Sequence, residues 1–385
     1  LTYYYPGREQ PALKNISLSI NEGEFVLLLG RSGSGKSTLG GIFSKMVPEF
    51  YGGRIGGSIH CKSQAGMVFQ DPEKQLVMDT VERELAFGLE NIGVDSGTMK
   101  KRVMEALSFM NMWNIRYSKT YELSGGEKQK VAIGSTAAMG YRFFVFDEPT
   151  SQLDPVSADE ILSIVKRLNE ELGYTIVLIE QRMDRCFHLA DRVMFMDEGR
   201  IVFDAAPKDF VKWSVREKAG FLPPLTQLFS DIGVKNPPLV IKDGREMLKK
   251  AFKPLPDAKK DCTQKITAEE VITMKKVSFT YENGSKALED VSISALRGEV
   301  TAVMGENGSG KSTMMKLVSG LLKPGLGSVS VKGEVGFISQ NPNDYLFHDT
   351  VYDELKFTLE NKGIKDTSII EKTLGRLGIE KYTHC

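Results

Sequence analysis

One glycine-rich pattern ending in Lys-Ser-Thr occurs twice: Gly30-Arg-Ser-Gly33-Ser-Gly35-Lys36-Ser37-Thr38 and Gly305-Glu-Asn-Gly308-Ser-Gly310-Lys311-Ser312-Thr313. Both fit G-x-x-x-x-G-K-[ST], a turn whose successive backbone N–H groups curl around phosphate oxygens while the following helix offers its positive N-terminus. Each follows an apolar run that predicts a short strand. Lys36 and Lys311 then reach the β and γ phosphates of a nucleotide. Ser37 and Ser312 place a hydroxyl on Mg2+, which takes hard oxygen ligands. An ordinary glycine turn matches the pattern by chance in roughly a few per cent of chains this long. Two matches with matched flanks remove that reading.

The flanks are themselves repeated. Leu13-Lys-Asn-Ile-Ser-Leu-Ser-Ile20 parallels Leu288-Glu-Asp-Val-Ser-Ile-Ser-Ala295, and Gln70-Asp-Pro-Glu-Lys-Gln-Leu-Val-Met-Asp-Thr-Val81 parallels Gln340-Asn-Pro-Asn-Asp-Tyr-Leu-Phe-His-Asp-Thr-Val351. The lysines lie 275 positions apart and the glutamines 270, so the intervening loops differ slightly in length. A period this long means duplicated domains rather than a solenoid. Its 385 residues allow two or three domains. Fifty basic and fifty acidic residues cancel, so no net field draws the chain to nucleic acid, and no nucleic-acid partner is expected. Cys61, Cys186, Cys262 and Cys385 lack metal-site spacing and read as free thiols. No apolar run approaches the roughly 20 residues needed to span a bilayer. The chain opens at Leu1 in a strand-like stretch and ends inside the second repeat, which reads as a fragment.

Three segments follow: a first domain over 1–212, a Pro/Lys-rich linker over 213–269 with one short helix near Gly244–Phe252, and a truncated second domain over 270–385. Within the first, Pro155–Leu172 sets Ile161, Val165, Leu168 and Leu172 on one helical face with Gly173 as C-cap, and Thr175–Ile179 reads as a buried strand. Val193–Met196 and Ile201–Phe203 flank a tight turn and predict a hairpin. Phe143-Phe-Val-Phe146-Asp147-Glu148-Pro149 is an apolar strand that delivers two carboxylates at its C-terminal end, the edge where parallel α/β sheets bind ligands. Asp147 is expected to hold Mg2+ through water. Glu148 is expected to polarise the water that attacks the γ phosphate.

Leu123-Ser124-Gly125-Gly126-Glu127-Lys128-Gln129-Lys130 begins a helix about twenty residues before the carboxylate strand. With Ser151-Gln-Leu-Asp154, Gln70 and Gln340, it resembles the signature of ABC-type ATPases. The resemblance implies an α/β P-loop NTPase fold: a RecA-like core, an antiparallel β subdomain and a helical signature subdomain, with the second copy truncated. It also implies that two nucleotide-binding domains pair in cis, that Ser124, Gly125 and Gly126 complete the ATP site built on Lys311, and that Gln70 and Gln340 contact Mg2+. Tyr5 and Tyr281, about 25 residues before each loop, resemble the aromatic that stacks on adenine; a core tyrosine on an edge strand is the alternative.

The run Asp71-Pro-Glu-Lys-Gln-Leu-Val-Met-Asp79-Thr-Val-Glu82-Arg-Glu84-Leu-Ala-Phe87-Gly-Leu-Glu90-Asn91 and its repeat Asp349-Thr-Val-Tyr-Asp-Glu354-Leu-Lys-Phe357-Thr-Leu-Glu360-Asn361 resemble energy-coupling-factor ATPases of micronutrient importers. That resemblance implies a peripheral subunit on the cytoplasmic face of the cell membrane, partnered by a transmembrane coupling subunit and a substrate-binding membrane subunit. In it Glu84 and Glu354 are expected to pair with arginines of the coupling subunit. One position departs from the family pattern: after Thr175–Ile179 the chain reads Glu180-Gln181-Arg182, so Gln181 fills the slot of a switch histidine. Its amide donates a hydrogen bond but carries no charge. Either hydrolysis slows by about 10–150-fold or the replacement is tolerated. The second carboxylate strand and second signature lie outside these 385 residues, so weak or no steady-state ATPase is expected of this chain alone. A soluble tandem ABC protein acting on ribosomes or other nucleoprotein is the alternative class; it favours a charged helical linker and basic surface, which this chain lacks.

Overall fold

The computed structural model describes residues 1–62, 64–251, 269–282, 284–306, 308–339 and 345–384. Phe25–Gly30 is apolar with all six residues buried, the mark of a parallel strand covered on both faces. In chain order the strands of the first part are β1 (Thr2–Tyr4), β2 (Phe25–Gly30), β3 (Arg54–Gly56), β4 (Ala65–Val68), β5 (Phe143–Asp147), β6 (Thr175–Ile179), β7 (Arg192–Asp197) and β8 (Arg200–Ala205). Six of them form one sheet in the order β4-β5-β6-β2-β7-β8. Only the last pair is antiparallel, the expected hairpin through the Asp197–Arg200 turn.

Alternate residues along these strands feed two cores. Phe25, Leu27 and Leu29 join Phe144, Phe146, Ile176 and Leu178 on one face, beneath the helices Val81–Asn91, Ser96–Phe109, Gly125–Ala138 and Pro155–Glu170. Val26 and Leu28 join Val145, Val177 and Ile179 on the other, against Leu39 and Ile42 of the helix Lys36–Phe43. The helix expected over Pro155–Leu172 ends at Glu170, and Leu172 is exposed because it lies past the last turn. Registers Leu28↔Ile179 and Asp147↔Ile179 bring the ends of β2 and β5 to one level across β6. The phosphate loop and the paired carboxylates therefore emerge at the same sheet edge. The antiparallel part is small, β1 paired with β3.

The stretch read as a linker holds the one short helix expected near Gly244–Phe252, over Ile241–Ala251, and two more before it. Helices run over Pro207–Glu217, Pro224–Asp231 and Ile241–Ala251. Pro224, one of the prolines that suggested breaks, instead starts a helix, as Pro207 does upstream, at a position whose N–H has no intrahelical partner. Aromatic contacts fasten the segment to the hairpin: Phe195 to Phe221 at 4.9 Å, Phe203 to Trp213 at 5.1 Å and Phe203 to Phe210 at 5.4 Å between ring centroids. Buried Thr226 donates its hydroxyl to the Pro238 carbonyl at 2.9 Å. The remainder of the linker, 252–268, lies outside the described residues.

The chain divides into two compact units, Leu1–Cys262 and Thr263–Cys385. The second carries an antiparallel sheet of β9 (Glu270–Thr280), β10 (Lys286–Leu296) and β11 (Leu326–Val331) in the order β10-β9-β11. Its core is small: Met274, Val277 and Leu288 with Met314, Leu317 and Val318 of the helix Lys311–Val318. The expected strand before the second phosphate loop is absent. Residues 301–306 carry no regular structure, and Val300 and Met304 are 96% and 87% exposed. In the first unit that strand is held by β6 and β7 on either side. The second repeat contributes no counterpart of either among the described residues, so its backbone groups have no ladder to join.

Phe210 is fully buried and touches three aromatic neighbours of the hairpin and core. Phe210→Ala should destabilise the first unit by about 3–5 kcal/mol in urea unfolding. A loss below about 1 kcal/mol would place the 207–222 segment outside the cooperative unit.

Candidate functional site

The first phosphate loop is moulded against its own domain. Gly30 sits at φ 148°, and a Cβ there would lie 2.2 Å from the Met196 carbonyl oxygen; one on Gly35, at φ 100°, would lie 2.9 Å from that of Ala12. Only glycine lets the chain pass so close. Gly33 takes a left-handed conformation as well. Lys36 Nζ donates to the Gly30 and Arg31 carbonyls at 2.9 and 2.8 Å, curling its loop around the ammonium. Burial pushes the Lys36 ammonium below its ordinary value, while the Glu148 and Asp147 carboxylates pull it back up. Ser34 Oγ is buried with no protein partner, a polar atom left over inside the loop.

Opposite the lysine, Ser37 Oγ donates to Asp147 Oδ1 at 3.1 Å. Burial raises the Asp147 carboxyl, against the Ser37 hydrogen bond that lowers it. Glu148 stands at φ 48°, a left-handed conformation rare for its residue type. Its N–H donates to the Ile179 carbonyl at 2.9 Å, holding it against β6. Gln181 Nε2 donates to Glu148 Oε1 at 2.6 Å and Gln70 Nε2 to Oε2 at 3.4 Å. Gln70, Ser37, Asp147, Glu148 and Gln181, distant in sequence, thus meet beside Lys36. Two amides orient one carboxylate, and a hydroxyl and second carboxylate offer hard oxygens. With the amide nest, this donor set fits a triphosphate and Mg2+.

Tyr5 Oη lies 3.0 Å from Thr38 Oγ1, and Tyr281 Oη repeats the contact with Thr313 Oγ1 at 2.9 Å. Each tyrosine also packs edge-on against the ring two residues before it, at 5.0 Å in both repeats. Lys311 Nζ likewise donates to the Gly305 and Glu306 carbonyls at 2.9 and 2.6 Å, with Gly305, Gly308 and Gly310 all at positive φ. Ser312 and Thr313 begin the helix behind it. No carboxylate strand accompanies this loop among the described residues, and Gln340 lies outside them. Ser124 is the N-cap of the helix Gly125–Ala138; a reciprocal capping box joins it to Glu127, and Gly125 and Gly126 form the first turn.

Glu84 and Glu354 differ from expectation. Glu84 is 4% exposed and accepts the N–H groups of Val77 and Met78 at 2.8 and 2.6 Å. Glu354 accepts those of Phe347 and His348 at 2.9 and 3.0 Å. Both glutamates are consumed in pinning the loop before their own helix. The repeated seven- and six-residue spacing back to that loop was visible in the sequence, but the family resemblance had assigned both glutamates to arginines of a coupling subunit.

Glu180 was missed altogether. It follows the apolar β6, is 3% exposed, and accepts a hydrogen bond from Thr150 Oγ1 at 2.7 Å. Burial raises its carboxyl from 4.5 to about 7, against the Thr150 bonds that lower it. Below pH about 4.5 both folded and unfolded chains hold this proton; between there and about 7 only the folded chain does, so its stabilising contribution fades as pH rises. Glu180→Gln should therefore raise stability relative to the parent at pH 8 by up to roughly 3 kcal/mol and change it little near pH 4.5. Paired urea titrations measure this. A difference independent of pH would mean the carboxyl titrates normally.

The sequence profile of the ABC transporter family matches residues 13–151 and 288–384. A Bacillus thuringiensis subsp. konkukian relative, provisionally named an ABC transporter ATP-binding protein, is 39% identical over 382 residues, covering 92% of this chain and 69% of its own. A Clostridium tetani relative with the same provisional name is 41% identical over 312 residues, covering 78% and 70%. Among solved structures, CbiO1 from Clostridium perfringens, described as part of the ABC transporter complex CbiONQ, aligns with TM-score 0.50 and 29% identity over 60% of this chain and 96% of its own. Together with the phosphate loop, the carboxylate strand and the capped signature helix, these likenesses place the chain in the ABC transporter ATP-binding family, ATPases that use ATP with Mg2+.

Proposed function

We propose that this chain is the ATP-binding and ATP-hydrolysing subunit of an energy-coupling-factor-type importer of a vitamin, a vitamin precursor or a transition-metal ion, its two nucleotide-binding domains lying over 1–212 and 270–385. The observation that carries the reading is the stretch Asp71–Asn91, half of it repeated at Asp349–Asn361, on helices that follow Gln70 and Gln340. Likeness to CbiO1, part of a multi-subunit transporter, supports it. So does the absence of any helix long and apolar enough to cross a membrane among the described residues: the transport path then belongs to partner subunits at whose cytoplasmic face this chain sits.

In this reading Lys36 and the loop amides hold the β and γ phosphates, and Ser37, Asp147 and Gln70 hold Mg2+, which when bound neutralises charge on the phosphate oxygens. Glu148 takes the proton of the attacking water, with Gln181 keeping its carboxylate aimed. Ser124, Gly125 and Gly126 complete the site of Lys311, Ser312 and Thr313 across the domain pair, Gln340 serves there as Gln70 does here, and Tyr5 and Tyr281 stack on adenine. Closure on two ATP molecules and reopening after hydrolysis pass motion to the membrane subunits through the helices Val81–Asn91 and Val351–Asn361.

The 2.6 Å bond from Gln181 to Glu148 favours the tolerated reading of the histidine replacement. Gln181→Ala should slow single-turnover hydrolysis by about 10–150-fold, the loss of one charge-assisted bond, while Gln181→His should stay within about threefold. A tenfold or larger gain with histidine would make the glutamine an impaired substitute. Tagged full-length protein should co-purify with polytopic subunits from detergent-solubilised membranes. Recovery on ribosomes, without membrane partners, would sink the importer reading.

A further inference from the structure

Phe69, the residue just before Gln70, is held by two side-chain amides, and neither belongs to a site described above. Gln75 Oε1 accepts the Phe69 N–H at 3.1 Å, and Gln75 Nε2 donates to the Met67 carbonyl at 3.2 Å and to Thr136 Oγ1 at 3.3 Å. This side chain caps the free edge of β4 where the strand ends, standing in for a neighbouring strand. From the other side Gln129 Nε2 reaches the Phe69 carbonyl at 3.4 Å. Gln129 is 1% exposed, so its amide is committed within the protein. Both Gln129 and Thr136 lie on the helix that Ser124 caps. A third tie is the ion pair of Lys128, on that same helix, with Glu73. Beyond the loop, Glu84 fixes Val77 and Met78. Gln70 therefore follows a residue, Phe69, whose N–H and C=O are both anchored, and the C=O anchor belongs to the signature helix.

We infer that Gln129, with Gln75, is a positioning residue for Gln70: it carries the placement of the Ser124 helix to the Gln70 amide and thence to the Glu148 carboxylate. The chain of contacts is continuous, Ser124 helix to Gln129, Gln129 to the Phe69 carbonyl, Gln70 to Glu148 Oε2. Displacement of that helix shifts the Phe69–Gln70 peptide, and the Gln70 contact, already long at 3.4 Å, is readily lost. Neither glutamine touches the phosphate loop among the described residues, and Lys36, Ser37 and Asp147 remain in place to hold the nucleotide and Mg2+, so the larger effect falls on cleavage rather than on affinity. The inference rests on the ATPase activity and not on the importer reading, so its test needs no membrane.

In the full-length protein, Gln129→Met keeps the length and packing of the side chain and removes its donor. Single-turnover hydrolysis should fall about tenfold, the worth of one neutral hydrogen bond, while Mg–ATP affinity stays within about twofold. Amide hydrogen exchange over residues 68–80 should quicken. Gln70→Ala combined with Gln129→Met should be no slower than Gln70→Ala alone, because the second residue acts through the first. Should Gln129→Met fail to fold, Gln75→Met removes the other anchor and carries the same expectations. Multiplicative losses in the double variant, a parallel loss of affinity, or unchanged exchange and rate would each overturn the inference.

Discussion

A lysine ammonium buried beneath its own loop, with two carboxylates facing it, is the interaction around which the first unit is arranged. Such a charge is costly to bury without partners. Lys36 is held by two backbone carbonyls, which demand the tight curl of Gly30–Gly35, and by the field of Asp147 and Glu148 on a strand two places away. That field exists only because β6 sets the ends of β2 and β5 level. Sheet order, loop conformation and site electrostatics are in this sense one constraint.

The two repeats show what the surrounding sheet adds. Their local devices are the same: a lysine curled under its loop, a tyrosine bonded to the threonine behind it, a glutamate capping the loop before the next helix. The lysine and glutamate contacts close within a few residues, and the tyrosine contact spans 32. What the second repeat lacks among the described residues is the central strand, since Val300–Gly305 has no flanking partners. Lys311 is accordingly only partly buried where Lys36 is buried. A phosphate loop can fold locally, but its electrostatic environment is made by strands far along the chain.

Legibility in the sequence followed the range of each interaction. The phosphate loops, the β5 carboxylates, β6 and the β7–β8 hairpin could be read because spacing and apolar runs encode them within a few residues. Gln70 and Gln181 were named from family pattern, and the structure brings both within hydrogen-bond reach of Glu148. Glu180 was invisible because its burial comes from Thr150 and the fold around it, not from any neighbour in sequence. Glu84 was assigned by family resemblance to a partner's arginine, and nothing in that pattern says that the loop before its own helix returns to be held by it. The helices Pro207–Glu217 and Pro224–Asp231 were masked by prolines that begin helices and by aromatics that anchor without periodicity, while the one at Ile241–Ala251 was legible.

The central claim is that Mg–ATP is held at the first repeat by the amide nest, Lys36 and the β5 carboxylates. Equilibrium titration of a nonhydrolysable ATP analogue, with and without Mg2+, into the full-length protein and its Lys36→Ala variant tests it most directly. The account predicts Mg2+-dependent binding in the parent and a loss of at least about tenfold in affinity at one site in the variant, the weight of a charge-assisted contact to phosphate. Equal affinity and stoichiometry in the two proteins would contradict it.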